Sequence, residues 1–172
     1  MLHAIPHQIL LMLFPVAMAM AAASDLLTMK IPNRLSAILA IGYFAAAALS
    51  GASLVDIGMH ALCGAVLLAA AFALFSLGWI GGGDAKLVAA TALWLGWTPL
   101  ADYGLVSAIA GGALTLGILF ARRLKLPDVL ASQGWIARLH DAKSGVPYGI
   151  ALALGGLAVY PETQFWSQLA IA

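Results

Sequence analysis

The chain has 172 residues, of which 63% are apolar and only 9% are charged, and its formal net charge is +1. Soluble domains carry about 25% charged residues, so this composition excludes an ordinary soluble fold and favours a polytopic membrane protein. The small net charge argues against a nucleic-acid partner, and the single cysteine, Cys63, excludes an internal disulfide and a multi-cysteine zinc site. We expect one integral membrane domain over residues 1–172, with membrane lipid around it.

Six apolar segments predict an all-α bundle of six transmembrane helices. Continuous apolar runs favour helices over barrel strands, in which apolar and polar residues alternate. A span needs about 20 apolar residues; the first, third and fifth segments meet this length, and the second, fourth and sixth are shorter. The segments cover residues 6–24, 35–49, 57–77, 87–100, 103–120 and 146–160.

The basic residues predict the orientation of this bundle. All of them fall in the first, third and fifth loops, so the positive-inside rule places those loops in the cytoplasm and both termini outside. Residues 19–25 resemble a signal-peptidase site, but no Lys or Arg precedes them, so we interpret the first segment as a span. The basic residues are Lys30, Arg34, Lys86, Arg122, Arg123, Lys125, Arg138 and Lys143.

Two aspartates are predicted at the cytoplasmic ends of their helices, at similar depth. Asp25 ends the first segment, and Asp84 precedes the fourth, whereas Asp56 and Asp102 are expected on the opposite side. Taken singly, each carboxylate is also consistent with a solvated charge or a helix N-cap. A carboxylate at membrane depth is costly, however, and both aspartates lie beside backbone breakers, which favours a functional pair.

Two adjacent carboxyls share protons, so that one is ionised while the other stays protonated. Such a pair supplies a base that activates water and an acid that assists the leaving amine of a peptide bond. This chemistry needs no metal or other cofactor. The glycines at 81–83 lack a Cβ and permit positive φ angles, so we expect that a substrate backbone can come close, although glycine also serves helix packing in membranes.

The order of these motifs resembles the type IV prepilin peptidases, which are GxGD-type intramembrane aspartic proteases. The resemblance implies that Asp25 and Asp84 form the catalytic pair. It also implies that the enzyme removes a short, positively charged leader from pilin-like precursors at the cytoplasmic face of the bacterial inner membrane. The motifs that carry the resemblance are Asp25, Lys30-Ile31-Pro32-Asn33, Gly81-Gly82-Gly83-Asp84-Ala85-Lys86-Leu87 and Val146-Pro147-Tyr148-Gly149.

The chain departs from the large bacterial members of this family in its short first cytoplasmic loop, which has no cysteine pair. We therefore expect no N-methyltransferase activity, and the small size is similar to the peptidases of tight-adherence (Flp) pilus systems or the archaeal preflagellin peptidases, of which we favour the Flp type. Pro147, Tyr148 and Gly149 are expected to shape the site. The oligomeric state and the particular precursor remain open.

The polar residues around the aspartates have several possible roles. Lys30 and Lys86 either lower a carboxylate pKa or anchor helix ends at lipid headgroups, and Asn33 is expected to cap the second helix after Pro32. In the fifth loop, Pro127-Asp128 predicts the start of one short interfacial helix.

Two other classes of function remain as alternatives. A small proton-coupled transporter or channel would use the aspartates as a relay, but it would need acidic residues at several depths, which the apolar segments lack. A purely structural membrane subunit would not need the aspartates at all.

Overall fold

The computed structural model describes residues 4–163 and 166–167, with side chains from Leu10 onwards, and every regular element in these residues is helical. This confirms the predicted all-α class. The helices are α1 (Ala4–Thr28), α2 (Asn33–Leu49), α3 (Leu54–Ser76), α4 (Gly82–Leu95), α5 (Leu100–Ala121), α6 (Asp128–Ala131), α7 (Gly134–His140) and α8 (Tyr148–Val159), and α8 continues as a short 3₁₀ turn over Tyr160–Glu162.

Helices α1–α5 and α8 overlap the six predicted segments. Three stretches are long and apolar enough to cross a membrane: Leu10–Thr28, Leu54–Ser76 and Leu100–Ala121. The other three helices are shorter, with 17 residues in α2, 14 in α4 and 12 in α8. The count of six spans and the outside position of both termini therefore stay predictions.

The predicted end of the fourth segment, at residue 100, is wrong. Helix α4 ends at Leu95, and Gly96 follows with a φ of 72° and a ψ of −167°, a backbone conformation that is essentially restricted to glycine. A side chain at this position would also collide with the ring of His60, 2.8 Å from the place of its Cβ. Apolar residues on both sides of this turn hid it from a reading of hydropathy alone.

The fifth loop also differs from the prediction of one interfacial helix. A helix does start at Asp128 as expected, but it ends at Ala131, and α7 begins only at Gly134. Two helices of 4 and 7 residues therefore replace the single one.

Helix α4 lies at the centre of the bundle, packed against α2, α3 and α8, while α1 packs against α2 and α8. Near the C-terminal end of α4, the ring of Trp94 contacts the rings of Phe14, Tyr43 and Tyr160, with distances between ring centroids of 5.6, 5.9 and 6.2 Å. The indole of Trp94 also donates a 2.8 Å hydrogen bond to the carbonyl of Leu39. This aromatic cluster joins α1, α2, α4 and the end of α8, which leaves the opposite end of α4 to form the site.

Candidate active site

The end of α1 and the start of α8 meet at Asp25. The backbone N–H of Gly149 donates a 2.7 Å hydrogen bond to Oδ2 of Asp25, and only 6% of Asp25 is exposed. Gly149 lies in the first turn of α8, where backbone N–H groups have no partner within the helix. The sequence folds so that one of these free donors is directed to a buried carboxyl.

Ile31 links this pair to the start of α4. A Cβ added to Gly83 would lie 3.1 Å from Cβ of Ile31, and one added to Gly149 would lie 2.8 Å from Cδ1 of Ile31. The Ile31 side chain therefore lies between the first turns of α4 and α8, and both turns approach it closely because they carry glycine. Asp84 directly follows Gly83 on α4, so this packing brings the two aspartates into the same region.

Asp84 is half-buried in the first turn of α4, outside the three candidate spans and ahead of the apolar stretch 87–100. Its Oδ2 accepts a 3.3 Å hydrogen bond from the N–H of Gly81, so the side chain also caps the helix start. Burial, and second the negative charge of Asp25, raise the pKa of Asp84 from 3.8 to about 6. The two carboxyls are therefore close enough to interact electrostatically. Their role as a catalytic pair stays a prediction.

The three glycines do not adopt the positive φ angles that they permit, and the approach of a substrate backbone to them stays a prediction. Gly81 has a φ of −73°, Gly82 and Gly83 are helical, and the glycines with positive φ in the described residues are Gly51, Gly78 and Gly96. The missing Cβ matters at two of them: a Cβ added to Gly81 would lie 2.8 Å from Oδ2 of Asp84, and one added to Gly82 would lie 3.2 Å from the ring of Phe75.

Asn33 and Lys86 form a pair of their own. Pro32 is the N-cap residue of α2, and no side chain caps that helix, so the expected capping role of Asn33 is wrong. Instead, Nζ of Lys86 donates a 2.9 Å hydrogen bond to Oδ1 of Asn33, which joins α4 to α2. Lys86 does not contribute to the pKa of Asp84, and its role as a lipid anchor stays a prediction.

The other predicted site residues lie on the elements that surround the two aspartates. Lys30 is exposed, and its carbonyl accepts hydrogen bonds of 2.8 Å from Ser24 and 3.2 Å from Thr28, which closes the turn after α1. Pro147 is fully buried at the start of α8, whereas Tyr148 is 42% exposed and its ring packs on Gly111 of α5.

The sequence reading missed Arg122, at the end of α5. Its guanidinium donates hydrogen bonds to the carbonyls of Leu139 at 2.8 Å and of Ser144 and Gly145 at 3.0 Å each. These contacts fix the chain that leads into Pro147 and Gly149. A cluster of basic residues in a loop gave no signal that one of them bridges three backbone carbonyls.

A groove of about 900 Å³ opens beside Asp84, between α3 and α5. We call it the α3–α5 groove. It is lined by Leu67, Ala70, Ala71, Leu74, Gly78, Trp79, Ile80, Gly81, Asp84, Val88, Leu100, Tyr103, Gly104, Ser107, Ala108, Thr115, Val146, Tyr148 and Leu152. A second groove of about 550 Å³, between α2 and α3, contains Asn33 and Lys86. Asp84 and Lys86 thus line different grooves.

Comparison with known proteins identifies the family of the chain. Residues 12–116, which include both aspartates, match the type IV leader peptidase family. The chain is 35% identical over 79 residues to the prepilin leader peptidase/N-methyltransferase of Burkholderia pseudomallei, in strains 1026b and K96243 alike. That match covers 46% of this chain and 20% of the relatives, so the chain spans about a fifth of their length. No solved structure matches at a significant level. Since the family match extends over more than half of its residues, the chain belongs to the type IV leader peptidase family.

Proposed function

We propose that the chain is a membrane-embedded aspartic endopeptidase that removes the leader peptide from type IV prepilins of the Flp type. The observation that carries the proposal is the electrostatic coupling of Asp84 to Asp25 at the meeting point of α1, α4 and α8. Family membership supports the same reaction. The pair would act at the cytoplasmic face of a bacterial inner membrane, in a bundle of six spans.

The two carboxyls differ in the hydrogen bonds that they accept, and we use this difference to assign their roles. Asp25 accepts a hydrogen bond of 2.7 Å from a backbone N–H, and a short bond of this kind stabilises the ionised form of a carboxyl. Asp84 accepts a longer one of 3.3 Å, and its pKa is raised to about 6. We therefore assign Asp25 as the general base and Asp84 as the general acid, and the reaction proceeds from the molecules in which Asp84 carries its proton.

In the proposed reaction, ionised Asp25 takes a proton from water while the water oxygen bonds to the scissile carbonyl carbon. The proton of Asp84 hydrogen-bonds to the carbonyl oxygen, which becomes negatively charged as the tetrahedral intermediate forms. The C–N bond then breaks, and the leaving nitrogen takes a proton from the pair. One water is consumed, and the products are a new carboxyl on the leader and a new amine on the pilin.

The remaining predicted residues have supporting roles in this proposal. The three glycines at 81–83 let neighbouring side chains pack closely against the start of α4. The N–H of Gly149 hydrogen-bonds to the carboxyl of Asp25. Pro147 and Tyr148 set the entry to α8. Lys30, Pro32, Asn33 and Lys86 fix the ends of α1, α2 and α4 relative to one another. No N-methyltransferase activity is proposed, and no metal or cofactor enters the reaction.

The test is co-expression of the full chain with a Flp-type prepilin, followed by detection of the shorter, processed pilin. Asp25→Asn and Asp84→Asn should each abolish processing, because either change leaves a single carboxyl. Asp56→Asn and Asp102→Asn are the matched controls, since they remove carboxyls from the first turns of α3 and α5. Normal processing by either variant of the pair would reject the proposal.

A further inference from the structure

The backbone directly after the helix that carries Asp25 has an unfavourable conformation. Met29 follows the end of α1 with a φ of 55°, and it is the one non-glycine residue with a positive φ in the described part of the chain. Its N–H donates a 2.8 Å hydrogen bond to the carbonyl of Asp25. Glycine usually takes this conformation after a helix, because a Cβ there is crowded by the backbone. A methionine keeps it only where surrounding contacts hold the turn.

Two kinds of contact hold this turn. Within the same segment of chain, the hydroxyls of Ser24 and Thr28 bond to the carbonyl of Lys30. From a distant element, Nη1 of Arg138 on α7 donates a 2.8 Å hydrogen bond to the carbonyl of Leu27. Carbonyls in the last turn of a helix have no partner within that helix, and a cation is favourable at this end of the helix dipole. The guanidinium therefore joins α7 to the end of α1.

Helix α7 is in turn fixed to α5. The guanidinium of Arg122 bonds to the carbonyl of Leu139, the residue that directly follows Arg138. With seven residues, α7 is too short to be stable as an isolated helix, so its place depends on contacts such as these. A series of hydrogen bonds thus runs from α5 through α7 to Leu27, two residues beyond Asp25.

We propose that Arg138 holds the strained turn at Met29 and thereby positions the carboxyl of Asp25 for the reaction. The same turn leads into Ile31, whose side chain lies between the first turns of α4 and α8. If Met29 relaxed to a negative φ, the chain would change direction between Asp25 and Ile31, and both would lose their places in the site. The proposal rests on the proposed peptidase function and adds a residue outside the site on which the position of its base depends.

Cleavage kinetics with a Flp-type prepilin test the positioning role. Arg138→Ala should lower kcat about tenfold, since a shift of about 1 Å in a catalytic group costs up to 10²-fold in rate. KM should change less than twofold, because Arg138 lines neither of the two grooves beside the start of α4. Lys143→Ala is the matched control, because it removes one exposed cation from the same loop. Equal kcat in the two variants would overturn the proposal.

Arg138→Lys separates the hydrogen bond from the shape of the guanidinium. A single bond to one carbonyl does not need a forked donor, so a lysine ammonium can replace it. This variant should keep at least half of the kcat of the unaltered chain. A kcat as low as that of Arg138→Ala would show that the contact with Leu27 is not what positions Asp25.

A glycine at position 29 tests whether the turn is the link between Arg138 and the base. Glycine adopts a positive φ without the crowding of a Cβ, so the turn no longer needs to be held from α7. In the Arg138→Ala background, Met29→Gly should raise kcat at least fivefold, whereas Met29→Ala, which removes the same side chain but keeps the Cβ, should not. A merely structural role of Arg138 predicts that Met29→Gly raises Tm and leaves kcat unchanged. Either that result or equal rescue by glycine and alanine would overturn the proposal.

Hydrogen exchange at residue 29 reports on the turn without any cleavage. The Met29 amide should exchange at least fivefold faster in Arg138→Ala than in the unaltered chain or in Lys143→Ala, because its bond to the carbonyl of Asp25 is no longer held in place. Unchanged exchange would overturn the hold of Arg138 on the turn. If exchange responds as expected while the unaltered chain cleaves no prepilin, the peptidase function fails and this contact stands, so the two failures are distinguished.

Discussion

The N–H of Gly149 lies 2.7 Å from Oδ2 of Asp25, although 124 residues of chain separate the two. This contact joins the last turn of α1 to the first turn of α8. It shows why a glycine stands at position 149: any side chain there would occupy the space that the carboxyl needs. The same contact predicts that one methyl group added at position 149 strongly reduces prepilin processing.

Gly149→Ala should reduce prepilin processing at least tenfold. The added Cβ would lie 2.8 Å from both Oδ2 of Asp25 and Cδ1 of Ile31, so the carboxyl, the isoleucine or the helix start must shift. A displacement of about 1 Å in a catalytic group costs up to 10²-fold in rate. The measurement is the ratio of processed to unprocessed pilin over time.

Gly145→Ala is the matched control, because a Cβ at position 145 would meet no atom within 4 Å. It should process at the rate of the unaltered chain. If Gly149→Ala were equally active, the contact between Gly149 and Asp25 would have no part in positioning the base.

The proposed catalytic pair can be recognised as a candidate in the sequence, because two charged residues in an apolar chain are conspicuous and their places in the predicted segments suggest the same side. The role of Ile31 cannot. It belongs to a recognised motif, but only the packed structure shows its side chain between Gly83 and Gly149. Contacts between distant segments depend on how the helices pack, which hydropathy does not encode.

Arg122→Lys should reduce processing about fivefold to tenfold, although the charge is kept. The guanidinium of Arg122 contacts three backbone carbonyls at 2.8–3.0 Å, and a lysine ammonium cannot reproduce this forked geometry. The segment that leads into α8 would loosen, and the Gly149 donor would lose its fixed position. Limited proteolysis within residues 139–145 should accelerate in parallel.

Arg123→Lys tests whether this effect is specific to position 122. The two arginines are adjacent and carry the same charge, so a general effect of the basic loop would appear in both variants. Equal processing by Arg122→Lys and the unaltered chain, with unchanged proteolysis, would show that the three contacts do not position α8.

Nothing in the sequence separates Arg122 from its neighbour, because both fall in a basic loop whose simplest interpretation is contact with lipid headgroups. Backbone carbonyls are present at every residue, so a side chain that binds them leaves no pattern in the sequence. The same holds for Asn33, whose expected capping role was replaced by its bond to Lys86.

Asp25→Asn should lower the pKa of Asp84. Burial is the main cause of its raised value of about 6, and the negative charge of Asp25 is the second, so removal of that charge should move the pKa part of the way towards 3.8. Infrared difference spectra of the protonated carboxyl, recorded against pH and assigned with Asp84→Asn, measure this. Asp102→Asn is the control for loss of a more distant carboxylate. An unchanged titration in Asp25→Asn would show that the pair is not coupled.

Asp84→Asn should stabilise the protein more at pH 7.5 than at pH 4. The folded protein raises the pKa of Asp84 from 3.8 to about 6, so it binds the proton more tightly than the unfolded chain does. The resulting stability is fully present below pH 3.8 and is lost as the pH rises through about 6. Above that pH the unaltered protein holds an ionised carboxylate in a partly desolvated place, which asparagine avoids.

The raised pKa corresponds to about 3 kcal/mol at most, and solvent screening of a half-buried group reduces this to about 1–2 kcal/mol. Thermal unfolding in the same detergent at both pH values should therefore show an extra gain in Tm of a few degrees at pH 7.5. Asp102→Asn again serves as the control. If Asp84→Asn raised Tm no more at pH 7.5 than at pH 4, folding would not raise the pKa of Asp84. The assignment of Asp84 as the general acid would then lose its physical basis.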